Sequence, residues 1–337
     1  MRPLLLFCLL GLSACAPSLL PFDPSRLPDP ADWDPRPAPL EWWYASGHLG
    51  RYAFHFAFFK AYPPRDYQVM GLPTWLFFPG PFHAVHLSLT DLRTGERTFL
   101  EASDFPKSEA QVGPGPTLAL AGFRFFRQGA SFRLEGGPLA LELHPLKPPV
   151  LHPPGYSGTE ETGRMYYQSY TRLMAQGQVL GEEVEGLAWL DHQWGDQPSG
   201  FQTTWDWFGL HLFPSGSSHL APGEDLDLMV YQVKDKEGRV VQTLGSLVDQ
   251  AAKPFPIRLE PRGDWTFPSG RRYTLFWLLE GPGLRLEVRP LLLEGEILSR
   301  TTQVAYWEGP VLGEGSLEGR SIRAQGMGEF VAGPWRP

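Results

Sequence analysis

The chain has little cysteine, no long apolar run beyond its N-terminus and no surplus of positive charge. Both cysteines, Cys8 and Cys15, fall within the first fifteen residues, which excludes disulfides as the scaffold. No later segment approaches eighteen uninterrupted apolar residues, so the body of the protein is not expected to span a membrane as a helix. With 29 basic against 37 acidic side chains the formal charge is −8, and nothing draws the surface generally to phosphate. Nucleic acid is therefore not an expected partner. The Gly-x-Ser-x-Gly elbow of a serine hydrolase is missing, because Gly155-Tyr156-Ser157-Gly158 has the wrong spacing. His83 and His86 lie three apart, on opposite faces of a strand, and no further cysteine or acidic cluster completes a metal site. Neither a metal nor a cofactor is expected.

Glycine (37) and proline (35) are abundant, and that much of both interrupts long helices. The 42% of hydrophobic residues can build a substantial core, and 337 residues suit two ordinary domains. At the N-terminus, Arg2 precedes an apolar run from Leu4 to Leu12 that ends in Leu12-Ser13-Ala14-Cys15. The run is too short to span a bilayer, and small residues before a cysteine resemble a bacterial lipobox. Residues 1–14 are then a signal peptide, and Cys15 becomes a lipidated N-terminus that anchors an exported protein in the cell envelope. Residues 15–40 carry eight prolines from Pro17 to Pro39 and read as a semi-rigid tether. At about 3.1 Å per residue such a tether could hold the body several tens of ångströms from the lipid.

Beyond residue 40 the dominant period is two. Tyr52, Phe54, Phe56 and Phe58 share one face, as do Leu139, Leu141 and Leu143, and Leu284, Leu286 and Val288. Such alternation marks antiparallel strands with one buried face, and Asp91–Gly95 and Lys236–Gly238 supply turns between them. The chain also repeats itself. Trp42-Trp43-Tyr44-Ala45-Ser46-Gly47-His48-Leu49 aligns without gaps to Trp205-Asp206-Trp207-Phe208-Gly209-Leu210-His211-Leu212, 163 residues on, and each copy leads to a strand ending in a lysine, Lys60 or Lys234. Gly177–Glu182 recurs as Gly309–Glu314. A duplicated unit of strands suits a small barrel, which removes sheet edges and can enclose a ligand. The expected fold is all-β, two tandem antiparallel barrels over residues 41–190 and 191–337, with their junction near 191–203.

Several motifs are more specific: Glu41-Trp42-Trp43-Tyr44 with Gly47-His48-Leu49, Gly186–Gly195 with its core Leu190-Asp191-His192-Gln193-Trp194, and Trp205–Leu210. Between them lie Lys147–His152 and Tyr167–Arg172. Together and in this order they resemble the AttH and carotenoid 1,2-hydratase family of lipocalin-like proteins, from about Pro39 to Phe330. The resemblance implies two lipocalin-like barrels with a ligand tunnel at or near their junction. Hydratases of this kind add water to a terminal double bond, which needs an acid to protonate carbon, aromatic faces to steady a cation and a polar group to direct water. The family's His-x-Trp element matches His192-Gln193-Trp194. Its Tyr-x-Asp element, which holds the acid, has two placements. One puts the acid at Asp206, with Thr204 in the tyrosine's position; the other uses Tyr231, and then Val233 stands where the acid should be.

The candidate catalytic residues are accordingly Asp206, His192 and Asp191, and the candidate ligand contacts Trp194, Tyr231 and Trp207. Asp206 lies on the face opposite Trp205 and Trp207, so it is either an acid in the tunnel or an ion-paired structural carboxylate. Asp191 and His192 would need a bulge to act as a direct pair, and His192 fits a structural hydrogen bond as well. Trp42 and Trp205 are expected to plug the closed end of each barrel. The expected guest is an elongated apolar molecule, isoprenoid, polyene or acyl. The expected roles are an enzyme acting on a double bond, a carrier or a structural envelope lipoprotein. No oligomeric state follows from the sequence.

Overall fold

Period-two alternation becomes two curled antiparallel sheets in the computed structural model, which describes residues 19–63, 68–196, 203–215 and 225–335. Cys15 and the run Leu4–Leu12 lie outside the described residues. A single 3₁₀ turn, Thr74–Leu76, is the only helical element among them. The first sheet has twelve strands and the second ten. In the first, strand Leu40–Leu49 pairs with its neighbour Tyr52–Ala61 and with Glu182–Gly195, the last strand of the unit. In the second, Thr204–Pro214 pairs in the same way with Leu226–Lys234 and with Arg320–Pro334. Pairing the first strand with the last curls each sheet toward a barrel, and the fold is the tandem lipocalin-like one.

The two copies of the Trp-to-Leu segment occupy equivalent first strands, and their equivalent lysines close ion pairs with acids two positions apart in the repeat, Lys60 with Glu41 directly opposite it and Lys234 with Asp206 rather than with Thr204. The second internal match is not structural. Leu180-Gly181 forms the turn between two long strands at positive φ, whereas Gly309–Glu314 lies inside strand Val304–Leu317; the equivalent turn is Glu318-Gly319. The first sheet also runs on to Gly195, so Asp191–Gly195 belong to it rather than to the second unit.

Alternation assigns the faces. Trp43, Ala45, Phe54, Phe56 and Phe58 fill the interior of the first barrel, and Phe208, Leu210, Leu228 and Val230 that of the second. The opposite faces of the same strands are buried too. Tyr44, Tyr167, Trp189, Trp207, Met229 and Tyr231 form a separate apolar layer where the barrels meet. Trp42 and Trp205 follow this outer face and stand nearly parallel, ring centroids 6.3 Å apart; they plug neither barrel. Burial on both faces explains why strand Leu40–Leu49 reads as almost continuously apolar.

The described part of the proline-rich segment is not a free spacer. Trp33 is 1% exposed, buried against Phe132, Tyr170 and His192, and it contributes on the order of the 1.5–3 kcal/mol of a fully buried apolar side chain. The backbone around it is satisfied by the barrel: Tyr166 Oη donates to Asp23 O at 2.6 Å, Gln168 Nε2 to Asp32 O at 2.8 Å, and Arg36 N–H to Glu41 Oε1 at 2.8 Å. The segment is a strap bound along the first barrel.

Charged groups lock the barrels together. Arg172 and Lys147, from the first, converge on Asp227 of the second: Nη2 to Oδ1 is 2.7 Å and Nζ to Oδ2 is 2.8 Å, with all three side chains buried. Thr171 Oγ1 donates to the same carboxylate at 2.8 Å, and Arg172 Nη1 reaches Asp225 at 2.9 Å. Two histidines at equivalent repeat positions cross the seam in opposite directions, His48 Nε2 to Gly326 O at 2.8 Å and His211 Nε2 to Thr171 O at 2.9 Å. Burial lowers both to about 4, so they stay neutral, and Nε2–H donates. Gly326 has to be glycine, because a Cβ there would lie 1.9 Å from Gly209 O. Asp227→Ala removes the carboxylate that two buried cations share, leaving Lys147 only carbonyl oxygens and Arg172 only Asp225 and one carbonyl, and should cost about 3–5 kcal/mol. Chemical denaturation measures this, and a loss under about 1 kcal/mol would show that the clamp contributes little.

Candidate functional site

A cavity of about 510 Å³ lies in the seam. Its walls are the outer faces of both barrels, not either barrel's interior: Trp42, Tyr44 and Asp191 come from the first sheet, and Trp205, Trp207 and Tyr231 from the second. The wall is mainly aromatic and aliphatic. Tyr44 meets Trp207 edge-on at 5.4 Å, and Trp205 meets Tyr231 edge-on at 6.3 Å. Toward one end Tyr62, Phe78, Phe82 and Phe105 also line it, and the last three form an aromatic cluster.

Two groups of acids interrupt this wall. Asp191 is 2% exposed, and its Oδ1 accepts from Trp189 Nε1 at 2.6 Å and from Ser169 Oγ. Its Oδ2 accepts from Tyr167 Oη at 3.1 Å, and that hydroxyl in turn accepts from Trp207 Nε1 at 2.7 Å. Three donors favour the carboxylate, but burial outweighs them and pushes Asp191 up to about 7. Behind it, His152 bridges the seam, with Nε2 at 2.8 Å from Ser169 Oγ and Nδ1 at 2.5 Å from Ser246 Oγ. Burial holds His152 down to about 3, hence neutral.

On the facing barrel, Glu308 and Glu329 sit directly opposite each other on neighbouring strands, and both line the cavity. Tyr44 Oη donates to Glu308 Oε1 at 2.6 Å. Burial, reinforced by the neighbouring Glu329, raises Glu308 well above the carboxylate range; burial pushes Glu329 up to about 7 against a hydrogen bond from Trp205. Two carboxylates in cross-strand contact cannot both ionise cheaply, so the pair holds a proton at neutral pH.

No curated protein matches the chain in sequence. The AttH-like family matches it over residues 21–332. The chain belongs to the AttH-like family. Among solved structures it is similar to an AttH-type protein of Nitrosomonas europaea, with TM-score 0.74 and 20% identity over 93% of this chain and 99% of that one. It is also similar to kievitone hydratase of Nectria haematococca, with TM-score 0.67 and 12% identity over 94% and 96%. CghA, solved with Sch210972, gives a TM-score of 0.54 at 11% identity over 94% and 95%. At these identities the likenesses establish the fold.

In this AttH-like chain Asp191, Trp207 and Tyr231 come together at the cavity, as does Val233. The other three candidates do not reach it. His192 follows Asp191 in an unbroken strand and so points into the first barrel. There its Nε2 meets Glu41 Oε1 at 2.9 Å and its ring stacks on Trp43 at 4.6 Å. Trp194 shares that side, held between Tyr166 and the Arg36 guanidinium of the strap. Asp206 faces the second barrel's interior and pairs with Lys234, because its flanking tryptophans take the cavity side. Sequence reasoning missed Glu308 and Glu329. Each is an acid set in the buried part of a long strand, Tyr306-Trp307-Glu308-Gly309 and Met327-Gly328-Glu329-Phe330, and that anomaly was the available signal.

The Asp191 shift has a testable sign. An acid whose folded pKa, about 7, lies above its unfolded value keeps its proton longer in the folded state. Its contribution therefore favours folding at acid pH and is lost as pH rises from about 4 to about 7. Relative to Asp191→Asn, the wild type should lose about 4 kcal/mol across that window, measured by denaturation at each pH. A difference that does not change with pH would contradict the shift.

Proposed function

We propose that this protein is an exported lipoprotein that holds an elongated apolar molecule in the inter-barrel cavity and adds water to a double bond of it. The observation that carries this reading is an aromatic cavity of about 510 Å³, within the usual size of ligand pockets, with neutral carboxylic acids set in its wall. Protonation of carbon needs an un-ionised acid, and the Glu308–Glu329 pair holds a proton at neutral pH. The proton would pass to the terminal alkene carbon, and the π electrons would form the new C–H bond. The resulting cation would lie among the faces of Trp205, Trp207 and Tyr231. A water molecule would attack it and give its proton to Asp191, whose pKa of about 7 suits it to accept one. A solved neighbour of the same fold is named a hydratase, which agrees with water addition.

A second reading, carriage without chemistry, is favoured by one specific observation. Val233, in the position of the family acid on the Tyr231 placement, lines the cavity with an apolar side chain. Incubation with lycopene or neurosporene decides between the two. Hydration adds 18 Da to the pigment, and Asp191→Asn should slow it by about 10²-fold or more. Unchanged pigment, with bound lipid seen by native mass spectrometry, would leave carriage.

For location we propose the lipid anchor at Cys15. Only three residues separate it from the first described one, Leu19, a reach of about 14 Å at most over the four steps. Because the strap that follows is bound to the first barrel, the anchored body would lie close to the lipid rather than far above it. Cys15→Ala should move the protein from the detergent phase to the aqueous phase in a partition experiment, and retention in the detergent phase would overturn the anchor.

A further inference from the structure

Apart from hydroxyls such as those of Tyr62, Thr203 and Tyr231, which both donate and accept, the cavity wall carries a set of acids and no lysine or arginine among the described residues. Asp191, Glu308 and Glu329 present three carboxyl groups. Gln193, 5% exposed, also lines it, and its Oε1 is buried with no hydrogen-bond partner. Several donors in the wall are already engaged: Tyr44 with Glu308, Trp207 with Tyr167, and Tyr306 with His86 Nδ1 at 2.7 Å.

A buried acceptor without a donor costs about 1–3 kcal/mol, so a guest that donates recovers what the empty site forgoes. A guest bringing a carboxylate would add a fourth acid to a low-dielectric site with no cation on its wall, the costliest arrangement available. We infer that the cavity takes apolar molecules whose head is a hydroxyl or an amine and rejects carboxylate-headed ones of the same chain, with Gln193 and the Glu308–Glu329 pair receiving the head. This inference rests on the inter-barrel binding reading above and narrows it. An alcohol satisfies both sides of the site, because its proton goes to a free acceptor while its oxygen accepts the proton that the glutamate pair holds. Free fatty acids, which an acyl-binding barrel would ordinarily accept, are excluded as guests.

The test uses the full chain carrying Cys15→Ala, so that no acyl chain enters the assay, with the neutral fluorescent probe N-phenyl-1-naphthylamine. Oleyl alcohol, oleylamine and oleate, equal in chain and kept below their aggregation concentrations at pH 8, compete for it. The alcohol and the amine should displace the probe at concentrations about tenfold or more below that of oleate, a difference of about 1.4 kcal/mol. Glu308→Gln with Glu329→Gln should shrink the gap to within about threefold, or about 0.7 kcal/mol. If that pair of changes prevents folding, Glu329→Gln alone should narrow the gap in the same direction. Oleate displacing as well as the alcohol, or a gap untouched in the folded variants, overturns the inference while leaving apolar binding intact. Failure of the wild-type chain to take up the probe at all overturns the binding reading itself.

Discussion

Everything distinctive about this molecule depends on two barrels being held at a fixed separation, and the buried contact of Arg172 and Lys147 with Asp227 is what holds them. The cavity has no wall of its own, since each side is the outside of a barrel whose inside is already packed. If the barrels slid past one another, Asp191 and the Glu308–Glu329 pair would no longer face a common space. Apolar contact alone tolerates such sliding. An arginine that gives Nε and Nη2 to one carboxylate oxygen, and Nη1 to a second aspartate, does not. His48 and His211, crossing the seam in opposite directions, add two further points of register.

The seam is also where the electrostatic cost is concentrated. Acids placed in a low-dielectric gap resist ionisation, and the structure manages this in two ways. Asp191 is surrounded by donors, which favour its carboxylate and hold the rise caused by burial to a pKa of about 7. The two glutamates are set opposite each other so that one proton serves both. A site arranged like this keeps a protonated acid beside aromatic faces at ordinary pH, which an isolated surface carboxylate cannot do.

The lipocalin-like tandem was legible because its signal is local. Alternation in Tyr52–Phe58 or Leu284–Val288 needs only the pleat of a strand, and the repeated Trp-to-Leu segment marked equivalent first strands. Asp191, Trp207 and Tyr231 were likewise legible from their motifs. His192 and Asp206 were misplaced for one shared reason. Alternation says that neighbouring residues face opposite ways, but it does not say which way is the cavity. Trp42 and Trp205 were assigned to the barrel ends on the same assumption, that the important space lies inside a barrel. The strap was misread as a spacer because proline content reports backbone stiffness, and the single buried Trp33 that fastens it reports nothing until the barrel is present.

Taken alone, the sequence determined the all-β class, the duplication, the family and the candidate signal and lipidation motif, because each is written in spacing or in a short contiguous run. Only the tertiary structure decided that the outer faces of two barrels enclose the cavity. The same holds for the meeting of Glu308 with Glu329, and for the strap on the first barrel. These depend on contacts between residues far apart in the chain, such as Tyr44 with Glu308 and Arg172 with Asp227, and no local pattern encodes which distant face a strand will meet.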